Sequence, residues 1–578
     1  MRSPFRSSLG TPRPGRLTFW DLVAVLLVLG TLVLFAEASR AVMQPLPEPG
    51  IGVIDLHPSA LPEYAMRTSL RMLAAMALSL LFTFTYATLA AKSRRAERVL
   101  IPLLDILQSV PILGFISVTV VFFMSLAPEK ILGAELAAVF AIFTSQAWNM
   151  AFSFYQSLRT VPKELTEAAR SFRLSPWMRF WKLEVPFAMP ALVWNMMMSM
   201  SGGWFFVVAS EAISVGNTTV TLPGVGSYIA RAIAERDLTA IGWAIAAMLV
   251  VILIYDQLLF RPLVAWADRF RFEQETSSVA PPQSWVLTML RRSQFVSQAT
   301  APLAAAWRWT YRLPARSSRT LPRPDRVAVW QPWFDWLWSI AIAMVCLAAA
   351  WKIATFVLAG VTLSEAGHVV LLGFATLVRV LVLIALASII WVPVGVWLGL
   401  RPGAARIAQP VVQFMAAFPA NLLFPLAVSA IVVLKLNPDI WLSPLMILGT
   451  QWYILFNVIA GASTIPSELR DIGANLRVRG WLWWRRIALP AVFPFYITGA
   501  ITASGGSWNA SIVAEVASWG DTTLQAHGLG AYIAEATEAG DFHRIVLGIA
   551  VMSAFVVVVN RVFWRPLYAL AERKFRLG

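Results

Sequence analysis

Long apolar runs separated by short polar segments dominate the chain. Three examples are Phe19–Ala36, Leu136–Phe154 and Ile241–Phe260. A helix needs roughly 20 mostly apolar residues to cross a bilayer, so each of these runs is long enough to span it. The pattern therefore predicts an all-α, polytopic membrane protein.

The same length criterion predicts six spanning helices in each half of the chain, about twelve in all. The predicted spans of the first half lie near 19–37, 68–91, 101–126, 131–157, 187–212 and 240–260. Those of the second half lie near 335–359, 370–399, 409–434, 440–461, 491–515 and 544–564. We interpret the first run as a retained helix, because Glu37–Pro49 is not a convincing small-residue cleavage site for a signal peptide.

An internal repeat relates the two halves. The segment Pro162-Lys-Glu-Leu returns as Pro466-Ser-Glu-Leu, an offset of 466 − 162 = 304. That offset holds to the end of each half and pairs Arg173 with Arg477, Trp177 with Trp481, Trp204 with Trp508, Glu211 with Glu515, Gly226 with Gly530, and Tyr228-Ile-Ala with Tyr532-Ile-Ala. Upstream, an offset of 376 − 68 = 308 pairs Thr68 with Thr376, Arg71 with Arg379, Pro102 with Pro410 and Pro111 with Pro419. Six is an even number of spans, so both copies share one orientation and form a tandem parallel repeat.

Composition and charge support this interpretation. Of the 578 residues, 58% are hydrophobic and 13% charged, whereas soluble domains have about 25% charged residues. The net charge of +16 comes from Lys and Arg at alternate ends of the apolar runs, as at Arg13–Arg16, Lys92–Arg98, Arg159–Lys163 and Arg401–Arg406. This positive-inside distribution argues against nucleic-acid binding and predicts that both termini lie in the cytoplasm. A single cysteine and four histidines without ligand spacing predict neither an intramolecular disulfide nor a metal site.

The chain is predicted to have three parts: a first transmembrane domain at 1–272, a cytoplasmic linker at 273–332 and a second transmembrane domain at 333–578. The linker is rich in Ser, Pro, Arg and Trp. We predict that it is partly helical around Trp285–Arg312 and lies on the bilayer through Trp307 and Trp309. The acidic, proline-rich loop Ser39–Ala65 is predicted to pack over the outer mouth.

A short amphipathic segment follows the fourth predicted span of each half. In the first half, Pro162 suits a first helical turn, and Glu164 and Glu167 lie near the positive end of the helix. Ala168 and Ala169 keep the helix slim, so that a partner surface can approach it closely. The segment is too short to fold alone, and its repetition predicts two equivalent docking points on the cytoplasmic side. The alternative is that Glu167 and its counterpart Asp471 only cap or solvate a surface helix.

These segments resemble the EAA loop of ABC importer permeases. The matching residues are Glu167-Ala168-Ala169, with Leu183-Glu184-Val185-Pro186 at the end, and Asp471-Ile472-Gly473, with Ile487-Ala488-Leu489-Pro490 at the end. Both copies carry arginine where the family has glycine, at Arg173 and Arg477. The chain is most similar to the fused permeases of the nitrate, sulfonate and taurine class, which take up anions. The resemblance implies two ABC type I importer-like halves of six helices each, in the bacterial inner membrane.

In this family the loop forms a coupling helix that fits a groove on an ATP-binding subunit. The resemblance implies that role here for Glu164, Glu167, Ala168, Ala169, Arg173, Glu468, Asp471, Gly473 and Arg477. The sequence contains no Gly-x-x-x-x-Gly-Lys-Ser/Thr phosphate loop, so ATP and magnesium are expected in two separate cytoplasmic subunits and this chain is expected to be no enzyme and to bind no cofactor directly. A periplasmic or lipid-anchored substrate-binding protein is the other expected partner.

A second paired feature lies at the predicted outer ends of the fifth helices. Glu211 and Glu515 resemble the acidic residue that precedes a Gly-x-Gly turn in this permease class, and acidic residues in membrane segments usually have a function. They either line a gate or a binding-protein dock, or accept hydrogen bonds from the turn as a structural pin. The gate or pathway candidates are Trp204, Glu211, Trp508, Asn509 and Glu515. The glycines and serines beside Trp204 and Trp508 are equally consistent with tight helix packing. Arg71 and Arg379 face either a cavity or the bilayer interface.

Three functions remain to be compared. The ABC permease is favoured; a secondary transporter also fits a parallel six-plus-six repeat but needs no docking helices. A scaffold without transport does not explain the polar groups inside apolar helices. The cargo, a small oxyanion such as nitrate, a sulfonate or a related acid, is implied by the resemblance and not by any residue pattern.

Overall fold

The computed structural model describes residues 25, 30, 54–127, 130–215, 218–270, 283–311, 331–463, 465 and 467–575. The predicted first span near 19–37 lies outside this part apart from residues 25 and 30, and so do both termini, Pro466 and the linker segments 271–282 and 312–330. The described residues are predominantly helical, which confirms the predicted all-α class.

The helices of the first half follow the apolar runs. They are α1 (Leu61–Lys92), α2 (Arg94–Ser109), α3 (Ile112–Leu126), α4 (Ile131–Arg159), α5 (Lys163–Ser171), α6 (Val185–Glu211), α7 (Val225–Ala234), α8 (Leu238–Tyr255) and α9 (Arg261–Ala267). The helical turns Pro176–Arg179 and Phe180–Glu184 lead directly into α6. The predicted helical part of the linker contains α10 (Trp285–Arg292) and α11 (Gln294–Thr310).

The second half repeats this order. Its helices are α12 (Gln331–Gly360), α13 (Leu363–Gly399), α14 (Pro402–Ala417), α15 (Phe424–Val433), α16 (Ser443–Leu448), α17 (Gln451–Ser463), α18 (Ser467–Asn475), α19 (Leu489–Ala514), α20 (Leu529–Ala539), α21 (Phe542–Val559) and α22 (Arg565–Phe575). The short helix Pro438–Trp441 precedes α16, and Gly480–Trp483 and Trp484–Ala488 lead into α19.

Some predicted spans are broken. Among the described residues, eight helices are long and apolar enough to cross a membrane, or up to ten if two bent pairs each count as one span. The predicted span 409–434 bends by 79° between Ala417 and Ala420, and the span 440–461 bends by 44° between Leu448 and Gln451. The span 101–126 is interrupted between α2 and α3. Pro111 and Pro419 lie at two of these breaks and explain them, because proline disfavours helical geometry in the preceding residue.

Two short β-hairpins, which the apolar pattern did not predict, follow the fifth spanning helices. Strands β1 (Ala212–Val215) and β2 (Thr218–Thr221) pair antiparallel, as do β3 (Val516–Trp519) and β4 (Thr522–Gln525). Gly520 adopts a φ of 59° in the two-residue turn of the second hairpin, where a left-handed residue matches the twist of the strands. The hairpins add a small β element to the all-α fold without changing its class.

Packing divides the chain into two compact units. One contains the described residues of 1–41, 153–197 and 253–330, and the other those of 42–152, 198–252 and 331–578. In the first unit, linker helix α10 packs against α9, and Asn195 Nδ2 donates to Ser153 Oγ at 2.9 Å. The predicted boundaries of the domains and the linker stay a prediction.

Small residues bring α13 and α17 together in the second unit. A Cβ added at Gly395 would lie 2.7 Å from Val458 Cγ1, and one added at Gly399 would lie 2.6 Å from Ala462 Cβ. Glycines spaced by four residues allow membrane helices to approach closely and to gain dispersion contacts. This seam forms part of the core of the second half, with Leu455 and Ile459 buried beside it.

The two halves contact each other through their broken helices. The backbone N–H of Ile112, at the start of α3, donates to Asn509 Oδ1 on α19 at 2.7 Å. In the reverse direction, Asn421 Nδ2 donates to the carbonyl oxygen of Phe205 on α6 at 3.2 Å. Phe205 and Asn509 are repeat counterparts (509 − 205 = 304). Each half therefore places the fifth helix against the helix break of the other.

We predict that Gly399→Val destabilises the protein by about 1–3 kcal/mol, because the larger side chain forces α13 away from α17. The matched control is Gly367→Val on the same helix, since a Cβ at Gly367 would meet nothing within 4 Å. Thermal unfolding of the two detergent-purified variants measures the difference. Equal melting temperatures for both variants would contradict the close contact.

Candidate functional site: two loops and two buried acidic networks

The loop helices and the acidic candidate residues lie at the two ends of the fifth spanning helix in each half. The continuous helical segment Pro176–Glu211 follows α5 and ends at Glu211, and Gly480–Ala514 follows α18 and is succeeded by Glu515. Each segment is long enough to cross the bilayer. The loop helix and the acidic residue therefore lie at opposite ends of a helical segment that is long enough to span the membrane.

Glu211 forms the centre of a buried network in the first half. Its Oε1 accepts hydrogen bonds from Thr68 Oγ1 and Arg71 Nη1, both at 2.7 Å, and its Oε2 accepts one from Gly226 N at 2.7 Å. The guanidinium of Arg71 also binds both carboxylate oxygens of Glu135 at 2.6 Å. Glu211 is 0% and Arg71 4% exposed, so these partners replace water for the ions.

The second half has the same network at the counterpart positions. Glu515 Oε1 accepts from Thr376 Oγ1 at 2.8 Å and from Arg379 Nη1 at 3.2 Å, and its Oε2 accepts from Ala531 N at 3.1 Å. Arg379 Nη2 donates to Asp439 Oδ1 at 2.8 Å. The side chains of Arg379 and Asp439 are 15% and 37% exposed, so this copy is more open to solvent than the first.

Sequence reasoning missed the second carboxylate of each network. Glu135 and Asp439 are themselves repeat counterparts (439 − 135 = 304), and this was the signal that would have found them. The second network also contains His527, whose N–H donates to Asp439 Oδ1 at 2.7 Å and whose Nδ1 lies 3.1 Å from Asp439 Oδ2. The position that corresponds to His527 in the first half holds Pro223, which the repeat alone does not explain.

The glycine-rich turns contact the carboxylates directly. Thr68 Oγ1 accepts a hydrogen bond from Val225 N, as Thr376 Oγ1 does from Leu529 N. A Cβ added at Gly224 or at Gly528 would collide with the carboxylate of Glu211 or Glu515, respectively. The structure thus contains the hydrogen bonds that the structural-pin alternative requires, whereas a gating role for the two residues stays a prediction.

The helix after each turn carries a tyrosine near its start. The hydroxyl of Tyr228 donates to the carbonyl oxygen of Leu56 at 2.8 Å, and that of Tyr532 donates to Glu365 Oε1 at 3.0 Å. Burial raises the pKa of both phenols, and the Glu365 carboxylate raises the pKa of Tyr532 further. Both tyrosines therefore act as neutral hydrogen-bond donors that hold α7 and α20 in place.

The other pathway candidates lie inside the helix packing. Trp204 and Trp508 are each 1% exposed, and the ring of Trp508 stacks against Phe555 with 6.1 Å between centroids. Asn509 accepts the hydrogen bond from Ile112 N described above. The structure does not bring these residues to the acidic networks. Among the described residues, no group of three or more His, Cys, Asp or Glu side chains is placed to hold a metal ion.

The two loop helices present their acidic residues to solvent. Glu164, Glu167 and Ala168 of α5 are exposed, whereas Ala169 is buried. In α18, Glu468 and Asp471 are exposed, and Gly473 is buried at a position where an added Cβ would lie 2.7 Å from Ile487 Cδ1. Each helix therefore packs against the rest of the chain through a small residue and exposes its carboxylates to solvent.

Arg173 and Arg477 occupy left-handed backbone positions at the ends of these helices, with φ of 50° and 51°. Leu174 N donates to the carbonyl oxygen of Ala169, and Val478 N to that of Gly473, which are the long bonds of a Schellman motif. Both copies therefore keep the geometry of this turn, although arginine occupies the left-handed position that usually carries glycine. A side chain in this conformation costs roughly 1–2 kcal/mol.

The linker packs against the segment that follows α5. The ring of Trp307 meets that of Trp181 edge-on, with 4.7 Å between centroids, and Trp177 Nε1 donates to Thr310 Oγ1 at 3.1 Å. Lys182 Nζ lies 5.2 Å from the ring centroid of Tyr311. The bilayer contact predicted for this part of the linker stays a prediction, and Trp309 is 61% exposed.

The second loop segment differs from the first. Trp481, the counterpart of Trp177, is 72% exposed, and Arg485 stands at the position of Trp181. The aromatic surface that meets the linker in the first copy is therefore not reproduced in the second.

We predict that Arg71→Leu destabilises the protein by about 3–5 kcal/mol, because it leaves two carboxylates without their shared counter-ion in a buried site. Arg379→Leu is the matched variant and should cost less, since the second network is partly exposed. Denaturant titration of both purified variants gives the comparison. An equal loss for the two would contradict the difference in burial.

We also predict that Trp307→Ala loosens the linker, with a loss of about 0.5–1.5 kcal/mol of aromatic contact. The control is Trp309→Ala, which removes an exposed ring two residues away. Limited proteolysis should cleave the first variant faster within the linker and leave the control at the wild-type rate. Identical cleavage rates would show that the Trp181 contact does not hold α11.

Sequence comparison finds transport permeases among the relatives of this chain. The chain is 28% identical over 187 residues to the bicarbonate transport system permease protein CmpB of Synechococcus elongatus, covering 32% of this chain and 64% of that relative. It is 24% identical over 203 residues to the nitrate import permease protein NrtB of Synechocystis, covering 35% and 70%. The glycine betaine/proline betaine transport system permease protein ProW of Escherichia coli is 25% identical over 194 residues, covering 34% and 51%.

A family description matches the chain twice, once in each repeat. The matched residues, 84–266 and 391–576, include both loop helices, both acidic residues at the ends of the fifth helices and both glycine-rich turns. The matched regions together cover more than half of the chain. The protein is a member of the family of binding-protein-dependent transport system inner membrane components, with two family domains fused in one polypeptide.

Proposed function

We propose that this chain is the transmembrane permease subunit of an ATP-driven importer for a small anion. The observation that carries the proposal is the duplicated loop: α5 and α18 each expose two carboxylates beside a left-handed arginine turn, at corresponding positions of two family domains. Each loop helix leads into a fifth helix that crosses to the acidic network on the other side. Such paired loops suit two equivalent partners.

The partners follow from this arrangement. Two cytoplasmic ATP-binding subunits bind α5 and α18. These subunits hold ATP and magnesium and hydrolyse the ATP, because the given sequence contains no Gly-x-x-x-x-Gly-Lys-Ser/Thr phosphate loop. A periplasmic or lipid-anchored binding protein delivers the cargo to the opposite side. Both termini lie in the cytoplasm of this multi-pass inner-membrane protein, in accord with the positive charge at alternate ends of the apolar runs.

The acidic networks serve as fixed ends of the moving helices. Each contains one guanidinium and two carboxylates, so each carries a net negative charge that disfavours direct contact with an anion. When ATP draws the two subunits together, the loop helices move and the fifth helices transmit the movement to the outer side, where the networks hold the hairpins and glycine turns together. Hydrolysis then restores the inward-facing state.

The cargo is a small oxyanion. The relatives CmpB and NrtB are named for the anions bicarbonate and nitrate, whereas ProW is named for glycine betaine and proline betaine. A secondary transporter would have no use for the exposed loop helices, and no observation in the structure favours it.

Co-purification tests the docking role. We predict that the wild-type chain binds two ATP-binding subunits and that the double variant Glu167→Arg, Asp471→Arg loses at least ten-fold in affinity, because two carboxylates at the contact are reversed in charge. The control is Glu538→Arg, which reverses an exposed carboxylate in α20, away from both loops. The measurement is the number of bound ATPases per permease at several ATPase concentrations.

Reconstituted vesicles test the transport role. ATP-dependent uptake of labelled nitrate or bicarbonate, abolished in the double variant, would establish an anion importer. Uptake driven by an ion gradient without ATP, or ATPase binding that is indifferent to both charge reversals, would overturn the proposal and support a secondary transporter.

A further inference from the structure

Helix α12 carries a positive charge inside its apolar span. Lys352 is the one charged residue between Ile340 and Gly360, the part of α12 that is long and apolar enough to cross a membrane. It lies 360 − 352 = 8 residues before Gly360, which is about 12 Å along the helix axis. A charged residue in such a span is costly and usually has a specific partner. Lys352 is exposed, and among the described residues it forms no ion pair, so its partner lies outside this part of the chain.

A groove of about 610 Å³ opens beside this lysine, where α12 meets α21. Its lining consists of Lys352, Ile353, Thr355 and Phe356 from α12 and Val546 from α21. The hydroxyl of Thr355 donates to two carbonyl oxygens of its own helix, each at 3.0 Å, and is therefore already engaged. The Lys352 ammonium is the charged donor of a groove whose other walls are mainly apolar.

His543 joins the two helices at the end of the groove nearest Gly360. Its ring stacks on that of Phe356 with 4.3 Å between centroids, and its Nδ1 donates to the Phe356 carbonyl oxygen at 2.8 Å. A Cβ added at Gly360 would lie 2.4 Å from His543 Cγ, so the helices approach closely here. The repeat counterpart of His543 is Thr239 (543 − 239 = 304), which has no ring to form this contact. The groove is therefore a feature of the second half.

The surface of α12 indicates which ligand suits the groove. Val357 is the one buried residue between Ile340 and Gly360, so this span turns most of its surface away from the protein. A spanning helix with such a surface lies against the acyl chains of the bilayer. Trp351, which is 72% exposed next to Lys352, is typical of the level at which acyl chains meet headgroups. An apolar groove with one ammonium at this level is complementary to a phospholipid, which combines an apolar chain with an anionic phosphate.

We propose that the groove between α12 and α21 binds an anionic phospholipid, whose phosphate pairs with Lys352 and whose acyl chain lies along Ile353 and Val546. A lysine ammonium is a compact point charge that binds phosphate well. A zwitterionic headgroup suits the site less, because its own cation lies next to the phosphate and opposes the pairing. The bound lipid neutralises the charge of the span and covers the apolar walls of the groove. The site is separate from the loop helices and from the acidic networks.

The test measures lipid binding to the full chain in detergent by native mass spectrometry. Phosphatidylglycerol and phosphatidylcholine with identical acyl chains are titrated separately. We expect the wild type to bind phosphatidylglycerol at one site about five-fold more tightly, which is the effect of one lysine near an anionic lipid. Lys352→Met keeps the length of the side chain without its charge and should abolish the preference at this site, whereas Lys352→Arg should retain it.

The matched control is Lys435→Met. Lys435 is an exposed lysine that follows α15, outside the groove, so this variant loses the same charge and should bind phosphatidylglycerol like the wild type. Val546→Phe tests the groove itself, because the larger ring fills it and leaves the charge of Lys352 in place. We expect it to weaken phosphatidylglycerol binding as much as Lys352→Met does. Melting temperatures in lipid-free detergent check that each variant is folded.

Several outcomes would overturn the lipid site. Equal binding of phosphatidylglycerol by the wild type and Lys352→Met would show that this lysine holds no lipid, and so would equal binding of the two lipids by the wild type. Displacement of the lipid by inorganic phosphate at the same concentration would assign Lys352 to free phosphate. A wild-type dimer that Lys352→Met converts to a monomer in lipid-free detergent would assign α12 to a contact between two copies. Each result is independent of whether the chain binds an ATPase or transports an anion.

Discussion

A carboxylate that is shielded from water must be supplied with hydrogen-bond donors by the protein, and this requirement organises one end of the fifth spanning helix in each half. Glu211 and Glu515 are 0% and 1% exposed and each receives a guanidinium, a threonine hydroxyl and a backbone N–H. These donors come from the second spanning helix and from the glycine turn. The carboxylate therefore joins three separate parts of the chain at one point: the fifth spanning helix, the second spanning helix and the glycine turn.

The opposite end of each fifth helix is built differently. The loop helices rest on the chain through Ala169 and Gly473 and leave their charged residues in solvent. Each fifth helix therefore joins an end with a buried, hydrogen-bonded carboxylate to an end with exposed carboxylates, which is the arrangement that the proposed coupling role requires. Among the described residues, the linker contact of Trp307 with Trp181 supports the first loop, and no linker contact is seen at the second.

The sequence predicted the repeat, the apolar class and the loops well, because these depend on local patterns and on a constant offset. It paired Arg71 with Arg379 and Glu211 with Glu515 but did not bring the two pairs together, since Arg71 and Glu211 are 140 residues apart in the chain. Two of the helix breaks could have been predicted from Pro111 and Pro419. The apolar runs continue across these prolines, so a prediction based on hydropathy alone does not detect the breaks. Strands of four residues are too short for any alternation to be visible.

The contacts between the halves also bear on why the two copies share one chain. Ile112 N–H in the first half needs the amide of Asn509, and the first half itself carries Phe205 at that position. A pair of two first halves would leave this N–H facing an aromatic ring, whereas two second halves would keep Asn421 opposite a backbone carbonyl at each contact. The first half thus depends on the second half for the partner of Ile112 N–H, whereas the contact of Asn421 with a backbone carbonyl sets no such requirement. Fusion guarantees that every translated chain contains one of each, so assembly never has to sort matched from mismatched subunits in the membrane.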